Sequence, residues 1–214
     1  MLRESLPCLI FDLDGTLVDS EPLGSQALLD LLPDLDDSVD GLMKRYRGHR
    51  MKDVFDDLAV RIGRPLEEDF QVRYHARVIS LYDDRLAPMP GAIDMLSALP
   101  HPMCVASNGS LAKMRHGLRV TGLIGFFGDN VFSAYDIGRW KPDPGLFLHA
   151  AERMGYSPED CVVLEDSEAG IAAGLAAGMR VVRYAPEGGA ETEARSVTAI
   201  THLRDLEALL RETA

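Results

Sequence analysis

The sequence predicts an open, doubly wound α/β fold, a parallel β-sheet with helices on both faces, carrying an inserted all-helical domain. Three observations predict it. Short apolar runs recur at long intervals, as the central strands of a parallel sheet do. Helical patterns lie between most of these runs, two of them closed by glycine. From Ser20 to about Pro88 the pattern is almost entirely helical, far longer than a strand-to-strand crossover requires. The chain has 214 residues, 46% hydrophobic and 26% charged, enough for one sizeable Rossmann-like core with a smaller insertion.

Taken in order, the expected strands are CLIF (8–11), MCVAS (103–107), NVFSA (130–134), CVVLE (161–165), RVVRY (180–184) and a short one near TAI (198–200). The core helices are expected over 91–99, 110–120, 144–155, 166–178 and 202–212. Glycines spaced by four in 170–178 suggest a helix packed closely on the sheet rather than a nucleotide fingerprint. In the insertion, EPLGSQALLDLL, DSVDGLMKRYRG, MKDVFDDLAVRIG and PLEEDFQVRYHARVISLYDD read as four helices, and LAPMPG (86–91) as the return linker. The expected division is a core of 1–19 with 87–214 and a helical domain of 20–86.

The first strand runs straight into Asp12 and Asp14, followed by Gly15 and Thr16. Residues two apart in an extended chain point the same way, so both carboxylates can face the crevice where sheets of this kind bind ligands. Two carboxylates so close repel unless a cation lies between them or one holds a proton. That suits phosphoryl transfer: one aspartate attacks phosphorus and the other, protonated, gives its proton to the leaving oxygen. Gly15 and Thr16 would bring backbone amides to the phosphate. A calcium loop is the competing reading, but its sixth-place Gly and twelfth-place Glu are missing; Leu23 stands twelfth.

Three further segments follow apolar runs. VASNGS offers Ser107, Asn108 and Gly109 as phosphate donors, with helix capping by Ser107 or Ser110 as the plainer reading. RWKPDP holds Lys141 in a stiff segment, a cation to offset acidic neighbours. VVLEDSEAG ends on Glu165 and Asp166, where Asp166 or Ser167 could instead cap the next helix. Asp12, Asp14, Glu165 and Asp166 are expected to converge without histidine or cysteine, and all-oxygen ligation beside a phosphate favours Mg²⁺.

With DLDGT, Ser107 in SNG, Lys141 in KPDP, and EDS present in order, the sequence resembles the haloacid dehalogenase-like hydrolase superfamily across its whole length. The resemblance implies Asp12 as nucleophile, Asp14 as general acid and base, Ser107 as a phosphate hydrogen-bond donor and Lys141 as a charge clamp. It implies Mg²⁺ held by the Asp12 side chain, the Asp14 backbone carbonyl and Asp166, with Glu165 supporting directly or through water. An aspartate two places after the nucleophile implies phosphatase or phosphomutase chemistry rather than dehalogenation. The helical insertion resembles the cap of the β-phosphoglucomutase-like group. The loops PMCVASNG and SAYDIGRWKPDP resemble those of bacterial phosphatases of sugar-acid phosphates such as 6-phosphogluconate.

The insertion carries a basic cluster: Lys44, Arg45, Arg47, Arg50 and Lys52. Either these are a solvated helix end, or residues such as Arg47 and Arg50 bind the distal anion of the substrate. The related mutase pattern has an arginine three places after the glycine; here Met51 stands there, which favours a phosphatase. A non-catalytic module would have lost one of Asp12, Asp14, Lys141 or Asp166, and all four are present.

The net charge of −12 argues against nucleic acid and anionic membranes as partners. The expected partner is a small phosphorylated metabolite, and the expected state a monomer or weak homodimer. Glu4 stands where a signal peptide would be basic, so a cytoplasmic location is expected. Cys8, Cys104 and Cys161 lack metal or redox spacing and are expected to be reduced, buried thiols.

Overall fold

The protein, described as a computed structural model, is defined over residues 6–46, 51–188 and 197–211. It divides into two compact units, one of residues 1–18 and 88–214, the other of 19–87.

The first unit is built on six strands: β1 (Cys8–Phe11), β2 (Met103–Ser107), β3 (Val131–Ser133), β4 (Cys161–Glu165), β5 (Arg180–Tyr184) and β6 (Val197–Ile200). All pairings are parallel, in the order β3-β2-β1-β4-β5-β6. The chain winds outward from β1 through β2 and β3, then returns to place β4 on the other side of β1. The direction of winding reverses between β1 and β4, and sheets of this type bind ligands outside the carboxyl ends of such neighbours.

β1 and β4 are buried along their whole length, which is why both read as unbroken apolar runs. One face of the sheet presents Cys8, Ile10, Cys104, Ala106, Cys161 and Val163 to Leu146, Phe147 and Ala150, and to Ile171 and Ala173 of a second helix. On the other face Phe11 meets Phe127 edge-on, with ring centroids 6.0 Å apart. Cys8 faces Cys161 in register and Cys104 faces Ile10, so three thiols lie across three adjacent strands. All three are unoxidised and buried. The hydrogen bond with Cys104 is the main cause that lifts Cys8 to a pKa of about 12, and the bond with Cys8 raises Cys161 further.

Helices of this unit and of the second are numbered together along the chain. In the second unit α1 (Glu21–Leu31), α2 (Val39–Tyr46), α3 (Met51–Arg61) and α4 (Phe70–Arg85) make an all-helical assembly. Inside it Arg61 donates to Asp37 at 2.5 Å and to the Tyr46 hydroxyl at 3.2 Å, while that hydroxyl donates to Asp57 at 2.6 Å. Phe55 packs edge-on against Phe70 and Tyr74. The sequence pattern starts the fourth helix at Pro65, but α4 begins at Phe70. Glu67, Glu68 and Asp69 are exposed, and Phe70 is the first residue of that stretch with a buried side chain to anchor a turn.

The core helices are α5 (Ala92–Ala98), α6 (Leu111–Val120), α7 (Ile124–Phe127), α8 (Ala134–Ile137), α9 (Gly145–Met154), α10 (Glu168–Ala176) and α11 (Asp205–Arg211). The four-residue α7 and α8 were not expected; each stops at a glycine with positive φ, Gly128 and Gly138. α10 follows β4 closely: a Cβ on Gly174 would sit 2.7 Å from Val181, so the helix lies tight against β5. No described helix is long and apolar enough to cross a membrane.

Candidate active site

The site gathers at the carboxyl ends of β1, β2 and β4. Asp12 continues the β1 ladder, its N–H donating to the Leu164 carbonyl at 3.0 Å. One step beyond the Phe11–Leu164 pair, Asp12 and Glu165 stand side by side. The chain then turns sharply: the Leu17 and Val18 N–H groups both donate to the Leu13 carbonyl, and Gly15 donates to Val18 at 2.9 Å. Gly15 has φ +84°, and a Cβ there would lie 2.7 Å from Asp166 Oδ2. Only glycine meets both demands. Buried Thr16 donates its hydroxyl to Asp166 Oδ1 at 2.9 Å.

Lys141 is buried and bridges two carboxylates, with Nζ 2.5 Å from Asp12 Oδ1 and 2.7 Å from Glu165 Oε2. Its ammonium also lies 4.7 Å from the centre of the Phe147 ring. The peptide to Pro142 is cis. Glu165 is fully engaged: Oε1 accepts from the Asp166 and Ser167 amides and the Ser167 hydroxyl, at 3.1, 3.0 and 2.9 Å. Ser167 caps α10, accepting from Gly170 N–H at 3.1 Å. Gly170 itself leaves the space that the Glu165 carboxylate fills.

Asp12, Glu165 and Asp166 bring one carboxylate oxygen each within 4.8 Å of one another. The expected convergence of four acidic side chains is thus a group of three. Asp14 instead directs both its oxygens to Lys113 Nζ, each at 3.0 Å. Its backbone carbonyl is the atom the family resemblance assigns to a metal.

At the end of β2, Ser107 is buried and its hydroxyl accepts from the Gly109 N–H at 3.2 Å. Neither Ser107 nor Ser110 caps α6 with its side chain. The Gly109 carbonyl is held by the Ser133 hydroxyl at 2.7 Å. The Asn108 side chain meets the backbone of another segment. That amide is committed to the backbone of Lys141, accepting its N–H at 2.9 Å and donating to its carbonyl at 3.4 Å. Arg47 and Arg50 lie outside the described residues.

Burial and close charges set the protonation of the group. Burial pushes Asp12 well above the usual carboxylate range; Glu165 adds to the rise and Lys141 pulls it back. Burial works against the charge on Lys141, but Asp12 and Glu165 outweigh it and hold the ammonium above the ordinary lysine range. Asp12, Glu165 and Asp166 form an oxygen-only donor set in which the acidic groups repel one another, and such a set fits a hard divalent ion such as Mg²⁺.

Lys113, the hydroxyl of Thr16 on Asp166 and the Asn108 clamp are absent from the sequence reading. One signal for Lys113 was available: a lysine in the first turn of a helix opposes the helix dipole, so its position asks for a partner elsewhere.

The chain belongs to the haloacid dehalogenase-like hydrolases, whose family model matches residues 6–178. Particular relatives share its full length. It is 37% identical over 205 residues to the 6-phosphogluconate phosphatase of Escherichia coli K12, covering 94% of this chain and 93% of that one. It is 31% identical over 214 residues to hexitol phosphatase B of the same strain, covering 92% and 91%. A hydrolase of this family from Deinococcus radiodurans R1, solved with bound phosphate and sodium, is 30% identical, with a TM-score of 0.76 over 97% of this chain and 96% of that one.

Proposed function

We propose that the protein is a Mg²⁺-dependent phosphatase of a small phosphorylated metabolite, a sugar phosphate or a sugar-acid phosphate such as 6-phosphogluconate. The observation that carries this reading is the gathering of Asp12, Glu165 and Asp166 around a common point, with buried Lys141 bridging the first two. The substrate class draws support from the full-length likeness to a 6-phosphogluconate phosphatase.

In this reading Asp12 attacks phosphorus with the oxygen that Lys141 does not hold. An aspartyl phosphate forms as the bond from phosphorus to the ester oxygen breaks, and Asp14 gives that oxygen its proton. Asp14 then takes a proton from the water that releases phosphate, which regenerates both aspartates. Ser107 and the Thr16 amide bind phosphoryl oxygens, Gly15 and Gly109 let the backbone approach them closely, and Lys141 offsets the charge that builds up. Asp12, the Asp14 carbonyl and Asp166 would hold Mg²⁺, with Glu165 supporting them. The ion, when bound, neutralises charge and orients the phosphoryl group. The helical unit serves as a cap that excludes bulk water, and Arg47 and Arg50 are assigned to the distal anion of the substrate. A cytoplasmic location accords with such a metabolite.

The test is phosphate release from p-nitrophenyl phosphate and from a panel of phosphorylated metabolites that includes 6-phosphogluconate. Activity should require Mg²⁺ and vanish in Asp12→Asn. Retention of full activity by that variant would refute the mechanism. Isomerised sugar in place of phosphate, from glucose 1-phosphate with a bisphosphate primer, would make it a phosphomutase.

A further inference from the structure

We propose that Lys113 is a positioning residue for the hydrolysis, holding the Asp14 carboxyl group against the ester oxygen of the substrate. This rests on the role given to Asp14 above. Asp14 lies in the turn after β1, outside the group of three carboxylates, so neither the strand ladder nor Lys141 fixes its side chain. Lys113 does so from α6, with two contacts of 3.0 Å, one to each oxygen. The pair is partly buried, the side chains being 29% and 27% exposed. On the α6 side the carboxylate also adjoins the β2–α6 turn, since a Cβ on Gly109 would lie 3.7 Å from Asp14 Oδ2.

An ammonium on the Asp14 carboxylate fixes its rotamer and plane. When one oxygen takes up the proton it turns that O–H to the leaving oxygen while the other still accepts from Lys113, so the plane that proton delivery needs is kept. Lys113 stands in the first turn of a ten-residue helix, where its charge opposes the dipole. Helix stability therefore does not explain its place, and the two contacts to Asp14 give it a function there. An ordinary surface ion pair would contribute little to anything, so the two roles separate by experiment.

The proton from Asp14 matters most when the departing oxygen is a poor leaving group. We compare kcat/KM of Lys113→Met and Lys113→Arg on p-nitrophenyl phosphate, phenyl phosphate and 6-phosphogluconate. Lys113→Met should lose at least about tenfold more on the latter two than on p-nitrophenyl phosphate, within the range general acid catalysis supplies. The charge-keeping Lys113→Arg should show a shallower dependence on the leaving group. An equal loss on all three substrates, no loss, or equal steepness in both variants overturns the proposal. Asp14→Asn on the same substrates separates the outcomes. A loss in Asp14→Asn that steepens with poorer leaving groups, beside a flat Lys113 profile, removes only this proposal, while full activity of Asp14→Asn on phenyl phosphate removes the acid role on which the proposal rests.

Discussion

Asn108 grips the backbone of Lys141 from two sides, accepting its N–H at 2.9 Å and donating to its carbonyl at 3.4 Å. The clamp ties the end of β2 to the segment before α9, and so sets where the buried ammonium meets Asp12 and Glu165. Besides the phosphate contact expected from the sequence, Asn108 thus has a hold on the backbone that carries the lysine.

Asn108→Ala removes both bonds and lets Lys141 drift. A displacement of about 1 Å costs on the order of 100-fold in rate, and two lost bonds cost about 1–3 kcal/mol of stability. Asn108→Asp keeps the acceptor but sets a carboxylate against the Lys141 carbonyl, so its kcat should fall further. Steady-state kinetics beside thermal melts check this; an Asn108→Ala enzyme with unchanged kcat contradicts it.

The raised pKa of Asp12 makes a prediction for the metal-free protein. A carboxyl group whose folded pKa exceeds its unfolded value binds more protons when folded, so stability falls as pH rises from about 4 through the folded pKa. Urea melts in EDTA should show that decline, and Asp12→Asn should flatten it and stabilise the metal-free protein at pH 7. Adding Mg²⁺ at pH 7 should stabilise the parent protein more than the variant. A parent protein in EDTA as stable at pH 7 as at pH 4.5 would contradict this.

Gly170→Ala puts a methyl group where the Glu165 carboxylate lies. Glu165 must then leave the Ser167 hydroxyl and the Lys141 ammonium, at a cost of about 3 kcal/mol or more for a broken buried pair. Activity should drop with stability. Equilibrium unfolding that matches the parent protein would place this account in error.

Thr16→Val keeps the buried shape but removes the donor to Asp166. Loss of such a supporting bond weakens metal binding about 10- to 100-fold. The Mg²⁺ concentration for half-maximal activity should rise accordingly; an unchanged requirement would mean that Asp166 needs no such anchor.

The sheet was legible because β1 and β4 are buried on both faces, which leaves only apolar residues and then an abrupt acidic end. The glycines of α10 were legible as packing, and the structure divides their tasks. Gly174 admits Val181, Gly170 admits Glu165, and Gly178, with φ +73°, ends the helix turn. Partners far apart in sequence were not legible. Thr16 meets Asp166 across 150 residues and Lys113 meets Asp14 across 99, and no local pattern encodes either meeting. α4 starts later than its sequence pattern implies because Glu67, Glu68 and Asp69 are exposed and Phe70 is the first buried side chain of that stretch.

The row of thiols across β2, β1 and β4 gives the protein an internal clock. Buried and held in protonated form, Cys8 and Cys161 offer almost no thiolate to an electrophile at neutral pH. Alkylation can proceed only when the central strands part, so the labelling rate of all three in native buffer measures how often the whole sheet opens.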